Sequence, residues 1–192
     1  MISTVFYEGR LKTGKVKQAS LNQLNDRAFH LVNTSKYGPF LEQKKGERGF
    51  KPINMVHQEV VERLMKNMEG RGIFMEQVGI IVPFRSVVYD LRNRLYNAGI
   101  RNVEVGTIHT FQGREKDYII FDTVMSGEQQ RGRQRHYSVR PLDEQKNGLS
   151  VPRLLNVAFS RSRRELVVIA DMNHIQKVYG NKFLGRLLNR MR

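Results

Sequence analysis

The residues best equipped for chemistry are Thr107-Ile108-His109-Thr110-Phe111-Gln112-Gly113-Arg114-Glu115-Lys116-Asp117. Hydroxyls, an imidazole, an amide, a glycine and alternating charges are gathered there between two runs of strand-forming residues, Val103 to Thr107 and Tyr118 to Val124. β-Branched and aromatic side chains suit a pleated, buried surface, so the chain leaves one buried strand, turns polar and enters another. A ligand site outside the carboxyl ends of an open parallel sheet needs such a segment, although an ordinary charged turn has the same composition. A second cluster of charge, Arg161, Arg163 and Arg164, crowds the end of a segment from Leu154 that reads as a helix. A third candidate, Gly9 to Val16, nearly spells a phosphate-binding loop with Gly9, Gly14 and Lys15 at the required spacing. Val16 occupies the position whose hydroxyl should hold Mg²⁺, so a surface turn is the better description.

Charge narrows the partners. Lys and Arg outnumber Asp and Glu by 33 to 18, a formal charge of +15, and an excess of that size points to a polyanion. No strongly apolar amphipathic segment supports a membrane-surface role. There is no cysteine, which excludes disulfides and thiolate metal sites. His109 has no second histidine or carboxylate at ligand spacing, so no metal site is expected. Neither a signal peptide nor an 18-residue apolar run is present, and the expected location is intracellular, cytoplasmic or nuclear.

The elements that must position these residues alternate. Phe29 to Asn33 reads as a strand and Lys36 to Pro52 as a loop outside the core, punctuated by Gly38, Pro39, Gly46 and Gly49. Asn54 caps a helix from Met55 to Met68 whose apolar stripe is Val56, Val60, Leu64 and Met68, widened by Val61 and Met65. Val78 to Val82 is a compact strand closed by Pro83. A helix through Val87, Val88, Leu91 and Leu95 follows, stopped by Gly99, and leads to the strand Val103 to Thr107. Strand, helix, strand within so short a span is a βαβ unit. Tyr118 to Met125 adds a strand, Ser126 to Ser150 reads as an exposed basic insertion, and Leu154 to Arg164 reads as a helix. Glu165 to Ala170 is a further strand, and His174 to Met191 reads as one closing basic helix. The alternation predicts an α/β fold of three layers around a mostly parallel sheet, a single domain over residues 1–192.

Three blocks together resemble a known family. Val78-Gly79-Ile80-Ile81-Val82-Pro83-Phe84-Arg85 looks like helicase motif IV and its flank. The block from Val105 to Asp117 looks like motif V, and Leu155-Asn156-Val157-Ala158-Phe159-Ser160-Arg161-Ser162-Arg163 looks like motif VI. Their order and spacing are similar to the second RecA-like domain of superfamily 1 helicases, in the branch of the nonsense-mediated-decay helicase and its DNA-acting relatives. Phe6-Tyr7-Glu8-Gly9-Arg10-Leu11 matches that branch as well.

The resemblance implies a C-terminal motor domain of an ATP-dependent helicase. Its cofactors would be ATP and Mg²⁺, held mainly by a first RecA-like domain of the same polypeptide, and its movement along a single strand would run 5′ to 3′. Arg161 takes the place of the arginine finger, which sets positive charge on the γ-phosphate as negative charge develops. Glu115 matches the glutamate that approaches the nucleotide, often at the ribose, with Gly113 permitting close backbone approach. Thr107, His109, Thr110 and Pro83 fall where the family touches the nucleic-acid backbone, contacts that position a strand without reading it. No residue separates DNA from RNA; DNA is the leaning. The isolated domain, lacking a working P-loop, is expected to be inactive. A non-catalytic nucleic-acid-binding module with a degenerate helicase fold is the alternative, and a compact ATPase built on Gly9 to Lys15 is a third.

Overall fold

The computed structural model describes residues 28–46, 49–128, 145–146, 149–150, 156 and 160–190. The near-P-loop, the Phe6 to Leu11 segment and the middle of the 126–150 insertion lie outside them. The described strands are β1 Ala28–Asn33, β2 Phe40–Gly46, β3 Gly49–Ile53, β4 Val78–Val82, β5 Glu104–Thr107, β6 Lys116–Asp122, β7 Gly127–Glu128, β8 Gln145–Lys146, β9 Leu149–Ser150 and β10 Ser162–Ala170. The helices are α1 Met55–Gly70, α2 Arg85–Asn97, α3 Met172–Tyr179 and α4 Phe183–Asn189.

Five strands form the main sheet in the order β1-β10-β6-β4-β5, and every neighbouring pair is parallel. All of β4, Val-Gly-Ile-Ile-Val, is buried, which requires cover on both faces of the sheet and is why its sequence runs apolar rather than alternating. Helix α1 packs on β6 and β10, and α2 on β4 and β5. The α/β, parallel-sheet fold expected of a RecA-like domain is what the chain adopts.

The connection from β5 to β6 decides where the chemistry sits. Because β4 lies between these strands, residues 108–115 must cross over it, and they do so without a helix. Successive tight turns satisfy the backbone instead: the amides of Thr110, Phe111 and Gln112 donate to the carbonyls of Thr107, Ile108 and His109, and Arg114 to Phe111. The crossover lies flat because the strands beneath it are bare. A Cβ on Gly79 would come 2.6 Å from Phe111 Cε1 and 2.9 Å from Ile119 Cδ1, and one on Gly106 would come 2.8 Å from Thr110 Cβ. Phe111 is fully buried there.

Several local expectations change. Residues 36–52 are not a loop: β2 and β3 form an antiparallel hairpin, β2 also pairs with β7, and Leu41 enters the core. Gly46 and Gly49, expected to punctuate a loop, are instead paired with each other across the hairpin strands, and Pro52 is tolerated because β3 is an edge strand. The insertion at 126–150 is strand-paired at its described ends, through β7 with β2 and β8 with β9, and Ser126 is buried. On α1 the buried stripe is His57, Gln58, Val61, Met65 and Met68; Val56, Val60 and Leu64 flank it. The closing helix is two, broken at residues 180–182, with Gly185 so close that a Cβ would meet the Tyr179 carbonyl. Asn156 and Ser160 are helical as expected, but Ser162 to Arg164 belong to β10.

Candidate functional site

A parallel sheet has two unlike rims, and the expected site residues divide between them. Glu115 and Arg161 immediately precede β6 and β10, so both stand at the amino-terminal rim. These strands are neighbours, and the Lys116 amide donates to the Arg161 carbonyl at 3.1 Å. The Arg161 guanidinium donates to Ser160 Oγ at 3.1 Å. Glu115 is exposed, and its Oε2 accepts from Arg163 Nε at 3.2 Å. Gly113 turns the chain toward this rim with φ +76°, a left-handed conformation that a side chain would strain. Open space surrounds it, so its requirement here is the dihedral angle.

The rest of the rim is tied by charge. Glu104, at the start of β5, receives Arg114 at 2.5 Å and Lys116 at 3.3 Å, and Lys116 Nζ also donates to the Glu76 carbonyl at 2.7 Å. Asp117 accepts from Gln77 at 3.4 Å and faces Arg164 at 3.9 Å. The Arg164 guanidinium is held above its ordinary pKa, first by a hydrogen bond with the Tyr118 hydroxyl and then by the charge of Asp117. Exposed pairs of this kind add little stability individually. Collectively they fix the order of the side chains that flank Glu115.

Thr107 and Pro83 stand at the opposite, carboxyl-terminal rim, at the ends of β5 and β4, which pair through Val82 and Thr107. The Thr110 hydroxyl accepts the Thr107 amide at 3.3 Å and lies 3.2 Å from the Thr107 hydroxyl. His109 and Thr110 are exposed. The segment expected at the carboxyl ends thus spans both rims: its first residues remain there, and the crossover delivers Glu115 to the other end of the sheet.

Beneath the carboxyl-terminal rim lies a buried polar network that sequence patterning did not reveal. His57 Nδ1 is 2.6 Å from Asp122 Oδ1 at the end of β6, and its Nε2 is 2.9 Å from the Thr34 hydroxyl. Asp122 Oδ1 also accepts the Val124 amide at 2.7 Å. Asn54 caps α1 by accepting the His57 amide, and its Nδ2 donates to the Val124 carbonyl and the Ser126 hydroxyl. Val124 has φ +61°, a costly conformation for a β-branched residue, imposed by bonds to both its amide and its carbonyl. Buried polar groups are retained when fully bonded, and this set joins α1 to the exit of β6. The hint available in sequence was the Asn54 cap, which fixes the helix phase and turns His57 inward.

Among the described residues no three His, Cys, Asp or Glu side chains gather to hold a metal ion, so Mg²⁺ is assigned no ligand there. No described helix is long and apolar enough to cross a membrane.

A family model described as an AAA domain matches residues 1–173. The chain belongs to this AAA domain family. Its AAA domain is 32% identical over 65% of the chain to the DNA polymerase alpha-associated DNA helicase A of Saccharomyces cerevisiae, covering 16% of that protein. It is 28% identical over 88% of the chain to the regulator of nonsense transcripts 1 homolog of Neurospora crassa, covering 15% of it. It is also 28% identical over 88% of the chain to the ATP-dependent helicase NAM7 of S. cerevisiae, covering 17% of it. The AAA domain is therefore similar to superfamily 1 helicases of the nonsense-mediated-decay branch. It spans about one-sixth of the length of these relatives.

Proposed function

We propose that this AAA domain is the second RecA-like motor domain of an ATP-dependent helicase, in which the amino-terminal rim meets the nucleotide and the carboxyl-terminal rim meets a single strand. The observation that carries the proposal is the placement of Glu115 and Arg161 on one rim, at the starts of neighbouring strands joined by the Lys116 amide and the Arg161 carbonyl, while Thr107 and Pro83 stand on the other. ATP would occupy a cleft between this rim and a first RecA-like domain of the same polypeptide, which would supply the P-loop, the carboxylates that hold Mg²⁺ and the water-orienting group.

Phosphoryl transfer is accelerated chiefly by positioning and by charge placed where negative charge develops. Arg161 carries a fixed positive charge and, on closure of the cleft, is the group that would reach the γ-phosphate. Glu115 offers a carboxylate oxygen to a ribose hydroxyl, and Gly113 sets the turn from which it projects. At the far rim the hydroxyls of Thr107 and Thr110, the His109 ring and the main chain beside Pro83 would bond phosphates and sugars without reading bases. Single-stranded nucleic acid is the proposed partner, with DNA the first to test and 5′ to 3′ movement expected from the family.

The short crossover supports coupling between the two events. Residues that would hold the strand and the residue that would hold the nucleotide are ends of one segment packed on β4, so displacement at either rim is transmitted to the other. In the full-length protein, Arg161→Ala should lower ATP turnover by about 10³-fold or more and leave single-strand binding within a few-fold. Turnover within tenfold of the parent would remove the finger assignment. The 192-residue chain alone should bind a single strand without turning over ATP; turnover by it would instead favour the near-P-loop at Gly9 to Lys15. A full-length protein that binds the strand but hydrolyses no ATP would favour the non-catalytic module.

A further inference from the structure

The pairing of β10 with β6 is irregular where it matters. Ser162 is registered with Lys116 and Glu165 with Tyr118, so three steps on β10 match two on β6, and Arg163 and Arg164 together oppose the single residue Asp117. An extra residue in one strand re-aims the side chains around it, and such bulges recur beside active sites. Here both consecutive arginines meet acids of the neighbouring segment: Arg163 Nε lies 3.2 Å from Glu115 Oε2, and Arg164 Nε lies 3.9 Å from Asp117 Oδ2.

The first pair is too exposed to be explained by stability. The Glu115 and Arg163 side chains are 46% and 61% accessible, and ion pairs in such surroundings contribute about 0–1 kcal/mol. What the pair does is present a chemical edge. Arg163 engages Oε2 through its Nε, so among the described residues Glu115 Oε1 and both Arg163 Nη atoms have no partner. An acceptor oxygen beside donor nitrogens fits two adjacent hydroxyls, one donating to the carboxylate and the other accepting from the guanidinium. A ribose cis-diol has that pattern; a deoxyribose lacks one half of it.

We infer that Arg163 is a specificity-determining residue that forms, with Glu115, a clamp for the ribose diol of the nucleoside triphosphate. The inference rests on the placement of the nucleotide at this rim. Arg161 and Arg163 then divide the work: the first meets the phosphate end of the ligand and the second its sugar.

The test is steady-state hydrolysis by the full-length protein, with ATP and 2′-deoxy-ATP as alternative substrates, for the parent, Arg163→Ala, Arg163→Lys and Glu115→Gln. Loss of a charged hydrogen bond at an exposed site corresponds to about tenfold in KM. Arg163→Ala should raise KM for ATP by about that factor and KM for 2′-deoxy-ATP by less than twofold, collapsing the preference between them, and Arg163→Lys should restore part of it. Arg163 takes the 2′-hydroxyl and Glu115 the 3′-hydroxyl, which both nucleotides carry, so Glu115→Gln should raise the two KM values alike; should Arg163→Ala fold poorly, as judged by its melting temperature, Arg163→Gln carries its expectation. Equal rises in both KM values for the Arg163 variants, or an unchanged preference, would overturn the clamp. If Arg161→Ala abolishes turnover while Arg163→Ala keeps the preference, only the clamp fails; if Arg161→Ala and Glu115→Gln both leave turnover unaltered, the nucleotide placement itself fails.

Discussion

The crossover from β5 to β6 makes Gly79 a sensitive point in the molecule. Replacing it by Ala puts a methyl carbon 2.6 Å from Phe111 Cε1, 2.9 Å from Ile119 Cδ1 and 3.0 Å from Phe111 Cζ, all inside ordinary van der Waals contact. Neither neighbour can yield into solvent, because both are fully buried. Overpacking a tight core costs about 1–3 kcal/mol, and the ordinary gain of Ala over Gly in a regular element returns about 0.5–1 kcal/mol, so a net loss of about 1–2 kcal/mol is expected. For a chain of this size that corresponds to a fall in Tm of about 2–8 °C. The measurement is urea denaturation of the parent and Gly79→Ala, with Phe111→Leu and the double variant completing a cycle. Removing the ring edge should recover much of the loss, giving a coupling of about 1 kcal/mol. A Gly79→Ala protein as stable as the parent, or a cycle with no coupling, would refute the claim that the crossover is seated on a bare strand.

Breaking the buried network should be more damaging: His57→Ala leaves the buried Asp122 carboxylate with the Val124 amide but no imidazole and takes the imidazole from the Thr34 hydroxyl, and should cost about 3–5 kcal/mol by denaturant melting, whereas a cost below 1 kcal/mol would show that the network is not sealed. Asn102 adopts φ +63° on the surface, so Asn102→Gly should be neutral or mildly stabilising and Asn102→Val should lose about 1–2 kcal/mol, readable as a Tm shift. The Glu62 carboxyl is held below its ordinary value of 4.5, first by its hydrogen bond with Lys66, against partial burial and with help from Arg94. A pKa lowered by folding stabilises the protein above the unfolded value and is lost as pH falls through the folded one. Stability should therefore drop more steeply below pH 4.5 in the parent than in Glu62→Gln; identical acid profiles would contradict the assignment.

The central strands were legible because parallel strands covered on both faces are written as unbroken apolar runs, and Val78 to Val82 was bounded to the residue. Asn54 announced α1 through its capping chemistry. The α1 stripe was misplaced because hydrophobic periodicity takes Val56 and Leu64 for the centre, while the true centre carries His57, a polar side chain made compatible with burial by Asp122 and Thr34. The β2–β3 hairpin was hidden because its glycines and Pro52 weigh toward a loop, and only the edge position of β3 shows that they can be accommodated. Arg163 and Arg164 read as the end of a helix because a bulge has no periodicity of its own. The division of one polar stretch between two rims follows from strand order, with β4 between β5 and β6, which linear sequence does not display.

The claim on which the account depends is that nucleotide and strand are taken at opposite ends of one parallel sheet. A structure of the full-length protein with a non-hydrolysable ATP analogue and a single-stranded oligonucleotide measures this directly. The predicted result is a γ-phosphate within hydrogen-bond reach of the Arg161 guanidinium, a ribose at Glu115, and the strand's phosphates at Thr107 and Thr110. A nucleotide lodged beside Thr107 and Pro83, or a strand lying across Glu115 and Arg161, would contradict it.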